Sequence, residues 1–113
     1  MQSYKMSLVD ITNTFKFQDL VEELSNKFPF DDTFIAETPI RLEQHSHTDF
    51  ESRLFISGFA TFWINGEEIK CGPGTYIEIK PGVVHEFEYA GGEQLKVLRF
   101  FSDNETWQAD YVN

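Results

Sequence analysis

Residues 59–71 read FATFWINGEEIKC. Two strand-like runs, FATFWI and EEIKC, flank Asn65-Gly66, a pair that tolerates the positive φ angles of a type I′ turn and is the strongest short hairpin signal. The two runs are therefore expected to pair antiparallel. Outward from this hairpin the pattern repeats. TFIAE, PIRLEQHSH, SRLFISG, TYIEIK, HEFEYA and QLKVLRFF alternate with Gly72-Pro73-Gly74, Pro81-Gly82 and Gly91-Gly92. Short strands at this spacing with no helix between them predict an antiparallel sandwich or barrel rather than a parallel α/β sheet. Upstream, residues 17–28 (FQDLVEELSNKF) put Phe17, Leu20, Val21, Leu24 and Phe28 on one helical face before Pro29 ends the run. That helix is expected to pack on the outside or one end of the β structure.

With 113 residues, the chain is expected to form one domain around a single core, with residues 1–32 as a helical segment packing on a barrel of residues 33–107. Nine Lys and Arg against nineteen Asp and Glu give a formal charge of -10. A field of that sign repels phosphate backbones and anionic lipid surfaces, which argues against nucleic-acid and membrane partners. No apolar run approaches the ~18 residues of a membrane span, and the opening MQSYKMSLVD is not a signal peptide, so a soluble, cytoplasmic chain is expected. The lone cysteine, Cys71, fits a reducing compartment and reads as a small residue at a strand end.

Chemistry concentrates in residues 44–53, QHSHTDFESR. In a strand, side chains two apart share a face, so His45 and His47 point together, either into the barrel or out of it. If the next strand starts near Glu51, that carboxylate, Arg53 and Phe55 share one face, and Leu54 and Ile56 the other. His85 follows the Lys80-Pro81-Gly82 turn and shares a face with Phe87 and Tyr89, opposite Glu86 and Glu88. In the last strand Arg99 falls on the face of Leu95 and Val97. An arginine facing inward requires a carboxylate or an anionic ligand, since an unpaired buried charge costs several kcal/mol. HxH by itself is a common core pattern. HxHxxxE followed by a histidine after a Pro-Gly turn is more specific, and three imidazoles with one carboxylate suit Fe(II), Ni(II), Mn(II) or Zn(II), with two positions of an octahedral ion left open. Such ligands bind as neutral imidazoles, so metal affinity is expected to fall below about pH 6.5.

The combination resembles the cupin superfamily, a double-stranded β-helix or jelly-roll barrel, here with one N-terminal α-helix. His45, His47 and Glu51, followed by Gly58, resemble its first motif; Gly74, Gly82 and His85 resemble its second. Within cupins the chain looks most like the acireductone dioxygenases of methionine salvage. The similarity runs through residues 45–53, through Lys80-Pro81-Gly82-Val83-Val84-His85-Glu86-Phe87, and through Lys96-Val97-Leu98-Arg99-Phe100-Phe101 to Trp107. The resemblance implies a mononuclear Fe(II) or Ni(II) site held by His45, His47, Glu51 and His85. It also implies an anionic enediol substrate cleaved with O2, Arg99 and Arg53 stabilising its charge, and Phe87 and Trp107 shaping an apolar wall. Arg41 and Gln44 differ from the residues that family carries there, which implies an altered pocket wall.

The same barrel also serves non-catalytic binding of a small anion, and a metal-assisted isomerase is a third reading. Leu98, Phe100 and the stripe of residues 59–64 are expected on the outer face, partly under the helix, with the remainder covered by a second copy in a homodimer.

Overall fold

The computed structural model describes residues 3–48, 50–102 and 110–111, the last two as backbone only. Ten strands and one helix follow in the order β1 (Tyr4–Leu8), α1 (Thr14–Lys27), β2 (Phe30–Ala36), β3 (Ile40–Ser46), β4 (Glu51–Ser57), β5 (Ala60–Ile64), β6 (Glu67–Cys71), β7 (Thr75–Ile79), β8 (His85–Tyr89), β9 (Leu95–Phe101) and β10 (Asp110–Tyr111). They form two five-stranded antiparallel sheets, β1-β7-β4-β9-β2 and β10-β3-β8-β5-β6. The predicted all-β double-stranded β-helix is what the chain adopts.

The hairpin forms as read. Asn65 and Gly66 take φ angles of 52° and 78°, and Ala60 to Ile64 pair with Cys71 to Glu67 in register. Its faces correct one expectation. Ala60, Phe62 and Ile64 are buried in the barrel, while Thr61 and Trp63 face outward, so the stripe over residues 59–64 is mostly interior. Trp63 is itself partly shielded by Arg41, whose guanidinium lies 5.0 Å from the indole ring.

Two apolar clusters hold the molecule. The larger fills the space between the sheets with Phe55, Phe62, Ile64, Ile77, Ile79, Tyr89, Leu95 and Val97 among others. The smaller, Leu24, Phe28 and Phe100 with Leu20, Tyr76 and Leu98 packed against it, joins α1 to the outer face of the first sheet. The expectation of a single core therefore misses this satellite. Leu24 and Phe28 bury the helical stripe where its period predicted. The helix starts three residues earlier than that stripe, because the side chain of Asn13 accepts a hydrogen bond from the backbone N–H of Lys16 and caps the first turn. Residues 1–32 carry more than a helix. Tyr4 to Leu8 pair with Ile79 to Thr75, an edge strand that MSLVD's weak alternation did not announce.

Gly58 turns the chain from β4 into β5 at φ 78°, where a Cβ would meet the Gln94 carbonyl oxygen and Leu95 Cα at 2.8 Å. The turn requires glycine on both counts.

Candidate metal centre

His45 lies on β3 and His85 opens β8, directly across from it. The register between these strands jumps: Leu42 faces Phe87, but His45 faces His85, so Glu43 and Gln44 together oppose one residue of β8. This β-bulge inverts the strand's alternation. Ile40 and Leu42 pack against the barrel core, and strict alternation from them would send His45 and His47 outward. The extra residue turns both rings inward, where they are buried. It also aims a backbone carbonyl: His45 Nδ1 donates to Glu43 O at 2.7 Å. His85 is set the same way, donating from Nδ1 to Val83 O at 2.9 Å. The Pro81-Gly82 turn that carries it is tied to the first motif, since the Gly82 N–H donates to His47 O at 2.8 Å.

A carbonyl oxygen only accepts, so Nδ1 carries the hydrogen in both rings and the Nε2 lone pair of the neutral ring faces the barrel interior. Such fixing of the tautomer is the usual setting of a ligating histidine. His45, His47 and His85 bring ring nitrogens within 4.8 Å of one another, all three residues buried. Glu51, 1% exposed at the start of β4, closes the group. Its Oε2 lies 3.4 Å from His47 Nε2 and its Oε1 3.2 Å from His85 Nε2. Among the described residues His85 Nε2 makes no hydrogen bond of good geometry. A lone pair facing a buried carboxylate at this distance is repulsive unless a proton or a cation lies between them. The donor set of three imidazoles and one carboxylate fits a divalent transition ion.

Electrostatics agree. Burial, reinforced by His85, His47 and Arg53, lowers His45 to about 4, against the opposing carbonyl of Glu43. His45 is thus neutral well below pH 6.5. For Glu51 burial works to raise the value, but the Arg53 guanidinium and the neighbouring imidazoles outweigh it and leave the carboxyl at about 2. Arg53 reaches Glu51 Oε2 at 3.0 Å and stacks over Phe62 at 5.2 Å. Cys71 is buried at the end of β6, and burial pushes its thiol up to about 12, so it is an inert core residue.

A small cavity of about 40 Å³, lined by Phe34, Leu42, Arg53, Phe55, Phe87, Val97 and Arg99, meets the centre at Arg53. A larger depression of about 700 Å³ runs along β1 and β7, but no histidine lines it. Phe87 lines the small cavity, and Trp107 lies outside the described residues. Arg99 does share the inner face, and its partner is Asp32, through Nε to Oδ1 at 2.7 Å and Nη2 to Oδ2 at 2.6 Å. Sequence reasoning missed Asp32, since only strand pairing places it opposite Arg99. Arg41 and Gln44 are not in the wall of this small cavity; with Trp63, Val84 and His85 they line a separate depression of about 610 Å³. Arg41 is bonded there to Glu86 and Glu88.

The acireductone dioxygenase of Aquifex aeolicus is 29% identical over 118 residues, covering 91% of this chain and 63% of that protein. That of Leptospira biflexa is 38% identical over 73 residues, covering 61% and 41%. The chain thus spans less than two thirds of these relatives. Among solved structures, the acireductone dioxygenase from Bacillus anthracis, with a cadmium ion in its active centre, superposes with a TM-score of 0.72 at 18% identity, over 96% of this chain and 83% of that one. A cupin 2 domain-containing protein from Halorhodospira halophila gives 0.62 at 18% identity, over 74% and 57%. The model of the ARD/ARD′ family matches residues 1–109, and the chain belongs to that family.

Proposed function

We propose that the protein is a metal-dependent dioxygenase of the acireductone dioxygenase type, acting on a small anionic enediol. The observation that carries the reading is the convergence of His45, His47, His85 and Glu51 in one buried cluster, with Nε2 of His85 3.2 Å from Glu51 Oε1. In this reading those four residues hold one Fe(II) or Ni(II) ion, with Mn(II) or Zn(II) as alternatives. When bound, such an ion supplies a Lewis acid for the enediol oxygens and a centre for reaction with O2.

The chain's own residues supply the rest. Arg53 and Arg99 line the cavity and offer guanidinium donors to an enediolate, whose charge they stabilise more strongly where water is excluded. Phe34, Phe55, Phe87 and Val97 exclude that water. Trp107, outside the described residues, is assigned to the substrate by the resemblance alone. The assembly is read as a cytoplasmic homodimer, supported by the exposed apolar side chains of Leu8, Phe15 and Phe59. Sedimentation as a monomer at tens of micromolar would remove that part of the reading.

One observation favours a second reading, a non-catalytic barrel that binds a small anion: Arg53 and Arg99 line one cavity, and a guanidinium pair suits an anion whether or not an ion is held beside it. Metal content by plasma mass spectrometry on untagged protein, beside His85→Ala, tests both. Near-stoichiometric iron, nickel or manganese that is lost in the variant supports the metal site, and oxygen uptake with enediols then separates enzyme from binding module. No metal in either protein after reconstitution rejects the dioxygenase.

A further inference from the structure

Four charged side chains share the inner face of the first sheet. Asp32 of β2 lies opposite Arg99 of β9, and Arg99 lies opposite Arg53 of β4. Directly opposed residues of an antiparallel ladder share a face, and Glu51, two residues before Arg53, joins them there. The charges run negative, positive, positive, negative. Each arginine is held on one side only: Asp32 takes Nε and Nη2 of Arg99, and Glu51 takes the terminal nitrogens of Arg53. The rings of Phe34 and Phe101, 5.0 and 5.5 Å from the guanidinium carbon, fix the plane of Arg99. Both arginines line the cavity, and among the described residues no carboxylate lines it with them.

The outer carboxylate differs from the inner one. Glu51 is fully enclosed beside the imidazoles, whereas the Asp32 side chain is 41% exposed at the rim and takes no part in the proposed metal ligation. Its charge nonetheless acts on whatever approaches the arginine pair.

We propose that Asp32 determines the charge selectivity of the cavity, holding Arg99 from its outer side and offsetting its charge so that a small monoanion bridging Arg53 and Arg99 is accepted over a dianion. The ligand class, an enediolate or similar monoanion, rests on the proposed function; the selectivity itself rests on the row of side chains. Removing the Asp32 charge strengthens the field between the arginines. Because a Coulomb energy scales with ligand charge, a gain of about threefold for a monoanion becomes about tenfold for a dianion.

The test uses two two-carbon probes, glycolate and oxalate, on metal-free and zinc-loaded protein, read through the arginine Nε–H resonances by nuclear magnetic resonance. Asp32→Asn is expected to tighten oxalate about tenfold and glycolate about threefold. Asp32→Glu should keep the parent values, and adding Arg99→Met to Asp32→Asn should cancel the gain. If the Asn variant does not fold, Asp32→Ser carries the same expectation. Equal gains for both anions, no gain, or a gain that survives loss of Arg99 would overturn the proposal. Because the metal-free protein gives the same readout, failure of iron, nickel, manganese and zinc alike to bind the parent would sink the dioxygenase reading and leave this result intact.

Discussion

At the scale of single residues, the centre is a balance of burial against paired charge. Glu51 stays ionised at 1% exposure because Arg53 and the imidazoles surround it. Glu51→Gln should therefore cost about 3 kcal/mol of stability in the metal-free protein, since it leaves the Arg53 guanidinium buried without a counter-charge. Urea unfolding measures this, and a loss below about 0.5 kcal/mol would mean that solvent already reaches Arg53. The pH dependence has a definite sign. His45 is lowered in the folded state from 6.5 to about 4, so the unfolded chain takes up its proton first, and stability falls as pH drops from about 6.5 to 4. Glu51 adds a second loss between 4.5 and about 2. Denaturation midpoints at pH 7, 5 and 3.5 should decline in that order, with the decline from 7 to 5 flattened in His45→Asn. At His45 itself, protons compete with an ion only near pH 4.

At the scale of elements, the helix and the centre occupy opposite faces of one sheet. Leu24 packs with Phe28 and Phe100 on the outside, while Glu51 and Arg53 project from the same sheet inward. Leu24→Ala should cost about 3 kcal/mol through the cavity it leaves, with metal stoichiometry unchanged in the folded fraction. Coupled loss of metal at temperatures where the variant is still folded would show that the helix shapes the site. Gly58→Ala acts on the other side of the barrel. A Cβ there meets backbone at 2.8 Å in a left-handed conformation, so the β4–β5 turn must shift, at a cost of about 2 kcal/mol or more. Thermal melting should show it, and an unchanged midpoint would mean that the turn relaxes freely. Helix, hairpin and turn residues were legible in the sequence because each is decided locally, by a 3.6-residue stripe, an Asn-Gly pair or a positive φ. The edge strand β1 was not, because its pairing with β7 supplies the stability that its own residues lack.

At the scale of the whole molecule, one sheet pairs His45 with His85, forty residues apart in the chain, and the other sheet brings Glu51 against them. An ion held by both sheets stabilises the folded state by mass action. At a hundredfold excess over its dissociation constant the gain is about 2.7 kcal/mol. Melting with and without added iron(II) under anaerobic conditions should separate clearly for the parent and coincide for His85→Ala. Coincident curves for the parent would mean that no ion links the sheets. The sequence by itself determined the β class, most of the barrel strands, the helix and its buried stripe, and the residue types of a metal-binding cluster, because alternation, turn chemistry and donor chemistry are properties of short segments. Only the tertiary structure decided which way the histidines face and what Arg99 meets. A bulge between Leu42 and His45 reverses the phase of β3, and alternation in one strand carries no record of a register fixed by β8. The partner of Arg99 is likewise a matter of which strand lies beside β9, and that neighbour, β2, is more than sixty residues away in sequence.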